Sequence, residues 1–300
     1  MLKTVAGTSL ALTVAILVLT AAVVLGRGGS AGEAAAWAVG LALGTRVVPI
    51  LGSFVIAWWP RSGQRVPPLG ALGVLRILAA ESWATVRLFF YYHPFESLVT
   101  RREPDHVVPG EVPLVLVHGF YSNAGFWHSM KPALRAAGWN NIFTLNLDPL
   151  FIGIDDYARQ LAQRVEAASR RCGTDSAILV GHSMGGLVAR VCARRIPGRI
   201  RHVVCIGSPH HGTVPASLVP SLTTRQMRPG SDWLAGLNRG DPDGIVTNLY
   251  SEHDNIIVPQ HSATLPGAEN IALRAIGHLE MAFSPALRQA LIDVLQQIRA

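Results

Sequence analysis

Cysteine, lysine and charge in general are scarce in this sequence of 300 residues. The three cysteines are Cys172, Cys192 and Cys205, an odd number whose spacing fits neither a disulfide framework nor a metal site. Charged residues make up 15% of the chain, and lysine occurs only as Lys3 and Lys131. The net charge is +7, but no basic run interleaved with aromatic residues is present. The sequence therefore argues against a nucleic-acid-binding protein.

Apolar residues, by contrast, are abundant and are concentrated near the beginning of the chain. Hydrophobic residues make up 49% of the sequence, and the mean hydropathy is +0.31. The uncharged stretch from Thr4 to Gly26 is long enough to cross a hydrocarbon core of ~30 Å. It is too long for the apolar region of a secretory signal, and no convincing cleavage site follows it. An uncleaved transmembrane helix is therefore predicted, rather than a signal peptide.

A second apolar stretch runs from Ala34 to Trp59, interrupted by Arg46 and Pro49, and it too is long enough to span. Because a lone arginine is costly in lipid, Arg46 is expected to face the first helix or to extend to the interface. Small residues allow close helix contact. Such contact is expected at three glycines of this stretch, Gly40, Gly44 and Gly52. We therefore predict a transmembrane helical hairpin over residues 1–60.

The charges around this hairpin predict its orientation. Lys3 precedes the hairpin, Arg27 lies in its connecting loop, and Arg61 and Arg65 follow it. By the positive-inside rule, both ends of the hairpin and the rest of the chain lie on the cytoplasmic side. If the second stretch only lies on the membrane, the topology inverts and the rest of the chain is periplasmic.

Residues 61–111 are predicted to form an amphipathic helix and a linker. Apolar and charged residues alternate at helical spacing from Leu69 to Tyr92. This helix lies along the membrane surface or packs on the following domain as part of its core, and the sequence leaves both possibilities open. A polar, proline-bearing linker follows at 100–113.

From residue 112 onward, short apolar runs alternate with helical patterns, which predicts βα units and a mostly parallel sheet flanked by helices. The predicted strands are Pro113–Val117, Ile142–Asn146, Ala177–Val180, His202–Ile206, Val246–Tyr250 and Ile271–Ile276. The predicted helices are Asp155–Arg171, Ser183–Arg195 and Pro285–Ile298. The fold class is thus α/β.

One turn between a predicted strand and a predicted helix has the spacing of a nucleophile elbow. Gly181 and Gly185 flank Ser183 in the pattern G-x-S-x-G. A sharp strand-to-helix turn strains the serine backbone, and small neighbours are needed so that nothing clashes with the sheet or the helix. The serine oxygen then stands at the helix N-terminus, where developing negative charge is favoured. Ser183 is therefore the predicted nucleophile.

A nucleophilic serine needs a base and an acid that orients the base. After a nucleophile elbow the acid comes next in the chain and the histidine last. His278 follows the last predicted strand, whereas the other histidines beyond Ser183 lie earlier, so His278 is the predicted base. Asp254 lies on the loop after the strand that ends at Tyr250, at the sheet edge where α/β sites form. It is the predicted acid, and Glu252 is its rival.

The attacked carbonyl would also need N–H donors for its oxyanion. One is expected from the backbone of Met184, the residue after the nucleophile. The second is expected from Phe120, because His118 and Gly119 follow an early strand and Gly119 lets the loop approach closely. Such a site needs neither a metal nor another cofactor, and none is predicted.

These motifs together resemble the bacterial triacylglycerol lipases of pseudomonads and related esterases, within the α/β-hydrolase superfamily. The matching segments cover about residues 112–300: "VLVHGF" (115–120), "VGHSMGGLVAR" (180–190), "IGSPHHGT" (206–213), "RQMRPGSDWLAGLN" (225–238), "DNIIVP" (254–259) and "GHLEM" (277–281). The resemblance implies an α/β-hydrolase domain over 112–300 with a cap or lid at about 214–240. It also implies functional roles for Ser183, Asp254 and His278, with Phe120 and Met184 at the oxyanion hole.

The expected function is that of a serine ester hydrolase, a lipase or carboxylesterase, acting on lipid or another apolar acyl ester. An acyltransferase or thioesterase using the same three residues is the alternative, and a non-catalytic membrane scaffold is a further one. The expected location is a bacterial inner membrane, crossed more than once, with the hydrolase domain in the cytoplasm or alternatively in the periplasm. The expected partners are the bilayer and the ester substrate.

Overall fold

The computed structural model describes residues 5–59, 66–240 and 244–299. Its centre is a sheet of six strands in the order β2-β1-β3-β4-β5-β6, and every neighbouring pair is parallel. The strands are β1 (Leu114–Val117), β2 (Ile142–Leu145), β3 (Ala177–His182), β4 (Ile200–Ile206), β5 (Val246–Ser251) and β6 (Glu269–Leu273). The predicted parallel α/β sheet is thus confirmed, with each strand within a few residues of its expected bounds.

Helices cover both faces of this sheet because its inner strands are apolar on both sides. Four helices do most of this packing: α5 (Met130–Ala136), α6 (Ile154–Cys172), α7 (Met184–Arg195) and α10 (Pro285–Arg299). Alternate residues of β1 belong to two different cores. Val115 and Val117 pack with α6 and α7, whereas Leu114 and Leu116 pack with α10. Buried Cys192 and Cys205 are small members of the first core.

The segment expected to form a cap contains two short helices, α8 (Leu222–Gln226) and α9 (Asp232–Leu237), after a 3-10 turn. Its buried apolar side chains join the core beside α6 and α7; they are Ala216, Met227, Leu234 and Leu237. On its outer side Leu218 and Leu222 are exposed. The segment is therefore built into one layer of the domain.

Two long helices precede this domain. They are α1 (Val5–Gly26) and α2 (Ala31–Trp58), which pack against each other across the turn at residues 27–30. Ser30 and Glu33 form a capping box that fixes the start of α2. Along α2 the buried small side chains are Ala34, Ala38 and Ala42. The glycines expected to make close contact do not, because a Cβ atom at Gly40, Gly44 or Gly52 would meet nothing within 4 Å.

The helical segment predicted around residues 69–92 is α3 (Ala71–Arg87), continued by a π-helical turn over Leu88–Tyr92 and followed by α4 (Glu96–Val99). One face of α3 is buried, at Ile77, Glu81, Ala84 and Thr85. The opposite face exposes Leu72, Leu75 and Trp83. Helix α3 therefore packs on its neighbours, which is the second of the two possibilities that the sequence left open. It also presents an apolar outer face.

The two N-terminal helices contact the α/β domain and the segment before it at the ends remote from the turn at 27–30. The Ser53 hydroxyl accepts a hydrogen bond from Asn255 Nδ2 (2.7 Å), close to the end of α2. The Tyr121 hydroxyl donates to Thr8 Oγ1 (3.2 Å), near the start of α1. The Arg46 guanidinium lies over the Phe89 ring, 5.5 Å from its centroid. These contacts hold the start of α1 and the second half of α2 against the domain.

Candidate active site

Ser183 lies at the sharp turn between β3 and α7, in a backbone conformation that residues with a side chain rarely adopt. Its φ is 55° and its ψ is −125°. Its amide donates to the Ile206 carbonyl (2.7 Å), which ties the turn to β4. A Cβ at Gly181 would lie 2.4 Å from the Gly185 carbonyl carbon, and one at Gly185 would lie 2.4 Å from the Val117 carbonyl oxygen. The G-x-S-x-G spacing is therefore a steric requirement of this turn.

His278 and Asp254 meet behind this turn. The loop after β6 carries His278, whose Nδ1 donates to Asp254 Oδ2 (2.8 Å), and both side chains are buried. The other oxygen of Asp254, Oδ1, accepts from the amides of Ile256 (2.7 Å) and Ile257 (2.8 Å). The carboxylate is thus fixed by backbone donors on one side and by the imidazole on the other.

Glu252, the rival acid, lies elsewhere. It forms an ion pair with Arg274 (3.4 Å) and is partly exposed. Of the two candidate carboxylates, the one bonded to His278 is Asp254.

The electrostatic surroundings keep His278 basic in spite of its burial. Burial alone lowers the pKa of the imidazole, but the charge and hydrogen bond of Asp254 raise it, and Glu81 adds to that effect. The net result is a raised pKa. By contrast, burial holds the pKa of neighbouring His182 well below its ordinary value, and the proximity of His278 lowers it further.

Ser183 and His278 line one cavity of about 210 Å³. Both are nearly buried, with Ser183 8% exposed and His278 4% exposed. The remaining lining is mostly apolar or aromatic and includes Ile50, Phe89, Phe120, Phe126, Ile256 and Leu279. Among the described residues that line it, none comes from 214–240, the segment expected to form the cap. Helix α2 and the π-helical turn contribute lining residues instead.

The loop that carries Phe120 approaches Ser183 closely, as expected. A Cβ at Gly119 would lie 2.9 Å from Ser183 Cβ, so a side chain there is excluded. His118 Nε2 accepts from the Leu147 amide (3.0 Å), so the ring proton is on Nδ1, which donates to the Gly119 carbonyl (2.8 Å). In a trans peptide the N–H points opposite to the carbonyl. The bond to His118 therefore fixes the direction in which the Phe120 amide points.

Three buried polar residues near the site were missed from the sequence. His93 lines the cavity and bonds Ser122 Oγ through Nε2 (3.1 Å). Asn255 accepts from the His278 amide at Oδ1 (2.9 Å). Glu81 accepts from the two amides after His278. Two of them had a signal in the sequence: Asn255 lies in the matching segment "DNIIVP", and Glu81 is a lone acid on the apolar face of an amphipathic helix.

Comparisons with known proteins agree with this architecture. Residues 112–241 match the family model of the alpha/beta hydrolase fold. A triacylglycerol lipase of Pseudarthrobacter phenanthrenivorans is 30% identical over 152 residues, which are 48% of this chain and 43% of the relative. The chain spans less than half the length of the curated lipases that it matches.

Solved structures show the same fold. Lipase B of Aspergillus fumigatus superposes with a TM-score of 0.58 over 83% of this chain and 80% of its own, at 16% identity. The mature lipase BlEst2 of Bacillus licheniformis has a TM-score of 0.55 over 64% of this chain and 94% of its own, at 18% identity. The chain therefore has the α/β-hydrolase fold, and over at most about half of its length its sequence is similar to triacylglycerol lipases.

Proposed function

We propose that this protein is a membrane-anchored serine ester hydrolase that cleaves apolar acyl esters through Ser183, His278 and Asp254. The observation that carries the proposal is the site itself: Ser183 and His278 line one apolar cavity, and Asp254 is bonded behind the imidazole at 2.8 Å. The similarity to triacylglycerol lipases supports the choice of a carboxylic ester as the substrate.

In the proposed reaction the Ser183 hydroxyl attacks the ester carbonyl while His278 Nε2 takes its proton. The tetrahedral oxyanion accepts hydrogen bonds from the amides of Phe120 and Met184. The ester C–O bond then breaks, and His278 returns the proton to the departing alcohol, which leaves an acyl group on Ser183. Water attacks this acyl-enzyme with His278 again as base, and the carboxylic acid is released. Asp254 stabilises the imidazolium in both halves.

The cavity supports an apolar acyl group of limited size. Its volume of about 210 Å³ is below the ~300–1,000 Å³ typical of pockets that enclose a drug-sized ligand. Apolar side chains such as Ile256 and Leu279 offer an acyl chain no hydrogen-bonding partner, which favours hydrocarbon over polar substituents. We therefore expect short and medium acyl chains to fit without rearrangement.

Membrane anchoring through the N-terminal helices is supported by their length and their surface. Helix α2 has 28 residues, about 42 Å at ~1.5 Å per residue, which exceeds a hydrocarbon core of ~30 Å. It is the described helix that is long and apolar enough to cross a bilayer, whereas the apolar stretch of α1 is shorter, Leu10–Gly26. Exposed apolar side chains along the pair include Val18, Leu19, Trp37 and Val48.

The same geometry supports a substrate that arrives from the bilayer. The end of α2 packs on the domain at Ser53 and Ala57, which leaves the preceding part of the helix to lie in the membrane. Ile50, just before this junction, lines the cavity of Ser183. In the proposed orientation the hydrolase domain is cytoplasmic, because basic residues flank the two ends of the hairpin and such residues favour the cytoplasmic side.

The test is the hydrolysis of p-nitrophenyl acyl esters by the full-length protein in detergent micelles. Ser183→Ala should lower kcat by a factor on the order of 10⁶. Ser169→Ala is the matched control, because Ser169 is also buried but lies in α6. Product analysis with added alcohols or thiols separates hydrolysis from acyl transfer. Turnover by Ser183→Ala at the wild-type rate would contradict the proposal.

A further inference from the structure

A buried carboxylate from the N-terminal helices holds the loop of His278. Glu81, in the middle of α3, is 0% exposed. Its Oε1 accepts from the Leu279 amide (2.9 Å), and its Oε2 accepts from the Glu280 amide (2.7 Å). These are the two peptide groups that directly follow His278. The hydrogen bonds therefore join residues 198 and 199 positions apart in the chain.

The packing at this point leaves no room for a side chain at residue 277. A Cβ at Gly277 would lie 2.4 Å from Glu81 Oε2 and 2.7 Å from Glu81 Cδ. The glycine before His278 therefore lets the Glu81 carboxyl group lie directly against the loop. Glu280 holds the other end of the loop, since its Oε2 accepts from the Gly277 amide (3.1 Å). Together with Asn255, side chains bond every amide from 277 to 280.

Burying the Glu81 carboxylate in this position costs free energy of folding, because the group leaves water without gaining an ion-pair partner. Within residues 5–59, 66–240 and 244–299, no ion pair involving Glu81 is formed, and its nearest basic helix neighbour, Arg76, binds Glu280 and the Ala275 carbonyl instead. Taking an unpaired carboxylate out of water is strongly unfavourable. Amide hydrogen bonds to its charged form offset part of that cost.

The charge of Glu81 also acts on the imidazole. The pKa of Glu81 is raised to about 7: burial is the largest cause and the charge of Asp254 adds to it, while the two amides and the field of His278 oppose it. The reciprocal effect is that Glu81 adds to the upward shift of the His278 pKa. The titratable groups that act on the pKa of Glu81 are His278 and Asp254. The Glu280 carboxylate, whose own amide Glu81 binds, is paired with Arg76 of α3.

We propose that Glu81 is a positioning residue for His278: it fixes the imidazole loop through the amides of Leu279 and Glu280 and stabilises the imidazolium formed during ester cleavage. It follows that helix α3 contributes a side chain to the active site and also connects the hairpin to the domain. The inference rests on the proposed function, since it assigns Glu81 to the base of that reaction.

Two substitutions of Glu81 separate the effect of its side-chain length from the effect of its negative charge. Glu81→Gln keeps the shape, but its NH₂ group faces one of the two amides and its charge is gone. We expect kcat to fall by about 10-fold to 100-fold, as for a small misplacement of a reacting group, with KM unchanged. The acid limb of kcat/KM should also move to lower pH, because the pKa of His278 drops. Glu81→Asp keeps the charge but not the reach, so kcat should fall while the acid limb stays in place.

Thr85→Val is the matched control on the same buried face of α3, because among the described residues the Thr85 hydroxyl bonds only the Glu81 carbonyl of its own helix. It should leave kcat and the acid limb at wild-type values. If Glu81→Gln does not fold, as judged by its thermal melt, the kcat of Glu81→Asp decides. A wild-type kcat in Glu81→Asp, or a folded Glu81→Gln with an unshifted acid limb, would overturn the proposal. Absence of esterase activity in the wild type would instead overturn the proposed function.

Discussion

Replacing Asp254 by asparagine should disable the base without unfolding the site. Asp254 Oδ1 accepts from the amides of Ile256 and Ile257. These donors require an oxygen, so the asparagine oxygen takes the Oδ1 position and its NH₂ group takes the Oδ2 position facing His278 Nδ1. Nδ1 must then accept a hydrogen bond, which places the ring proton on Nε2. An imidazole protonated at Nε2 cannot take the proton of Ser183.

The size of the effect follows from this change of tautomer. The same substitution in the triad of a serine protease lowers kcat by about 10⁴, which corresponds to about 5.4 kcal/mol at ~1.36 kcal/mol per tenfold. We expect a loss of this order for Asp254→Asn. The thermal midpoint should change little, because the two amide bonds to the side-chain oxygen are kept. The acid limb of the remaining activity should move to lower pH, because the raised pKa of His278 depends on the Asp254 charge.

The assay is the kcat of p-nitrophenyl butyrate hydrolysis by full-length protein, alongside a thermal melt. Glu252→Gln is the matched control, since Glu252 lies two residues away and pairs with Arg274 at 3.4 Å. That variant should retain wild-type kcat. A folded Asp254→Asn variant whose kcat lies within tenfold of the wild-type kcat would refute the expectation that the two amide donors force the asparagine NH₂ group towards His278.

Three further results are expected. His118→Phe removes the hydrogen bond that fixes the Gly119 carbonyl and with it the direction of the Phe120 amide. We therefore expect kcat to fall by about 10²-fold to 10³-fold at constant KM, as when one oxyanion donor is lost. A wild-type kcat would contradict the role of His118 in orienting that amide. Ile50→Trp should fill part of the cavity and lower kcat/KM for octanoate more than for acetate, whereas exposed Val48→Trp should not. In the wild type, kcat/KM should decline as the pH falls through the raised pKa of His278, because the base becomes protonated.

The sheet and the serine turn could be predicted because their signals are local. Apolar strands buried on both faces, and glycines that sterics require at 181 and 185, stand out in the sequence itself. The sequence favours Asp254 as the acid but leaves Glu252, on the same loop, as its rival. What separates it from Glu252 is its bond to His278 Nδ1, together with the amides of Ile256 and Ile257, and these contacts depend on how the loop turns after β5.

The contributions of the N-terminal helices to the site were not predictable in this way. Glu81 and Ile50 are distant in sequence from Ser183, and their roles arise only when α2 and α3 pack on the domain. The prediction that glycines of the second helix form the contact within the hairpin was wrong for a similar reason. Glycine marks a possible close approach, but the face that turns inward carries Ala34, Ala38 and Ala42 instead.

The central claim is that Ser183 is the nucleophile activated by His278. It is tested most directly by treating the full-length protein with a fluorophosphonate and mapping the modified peptide by mass spectrometry. We predict one phosphonyl adduct, on Ser183, which forms in the wild type and is lost when His278 is replaced by alanine. An unlabelled wild-type protein, or an adduct on any other residue, would contradict it.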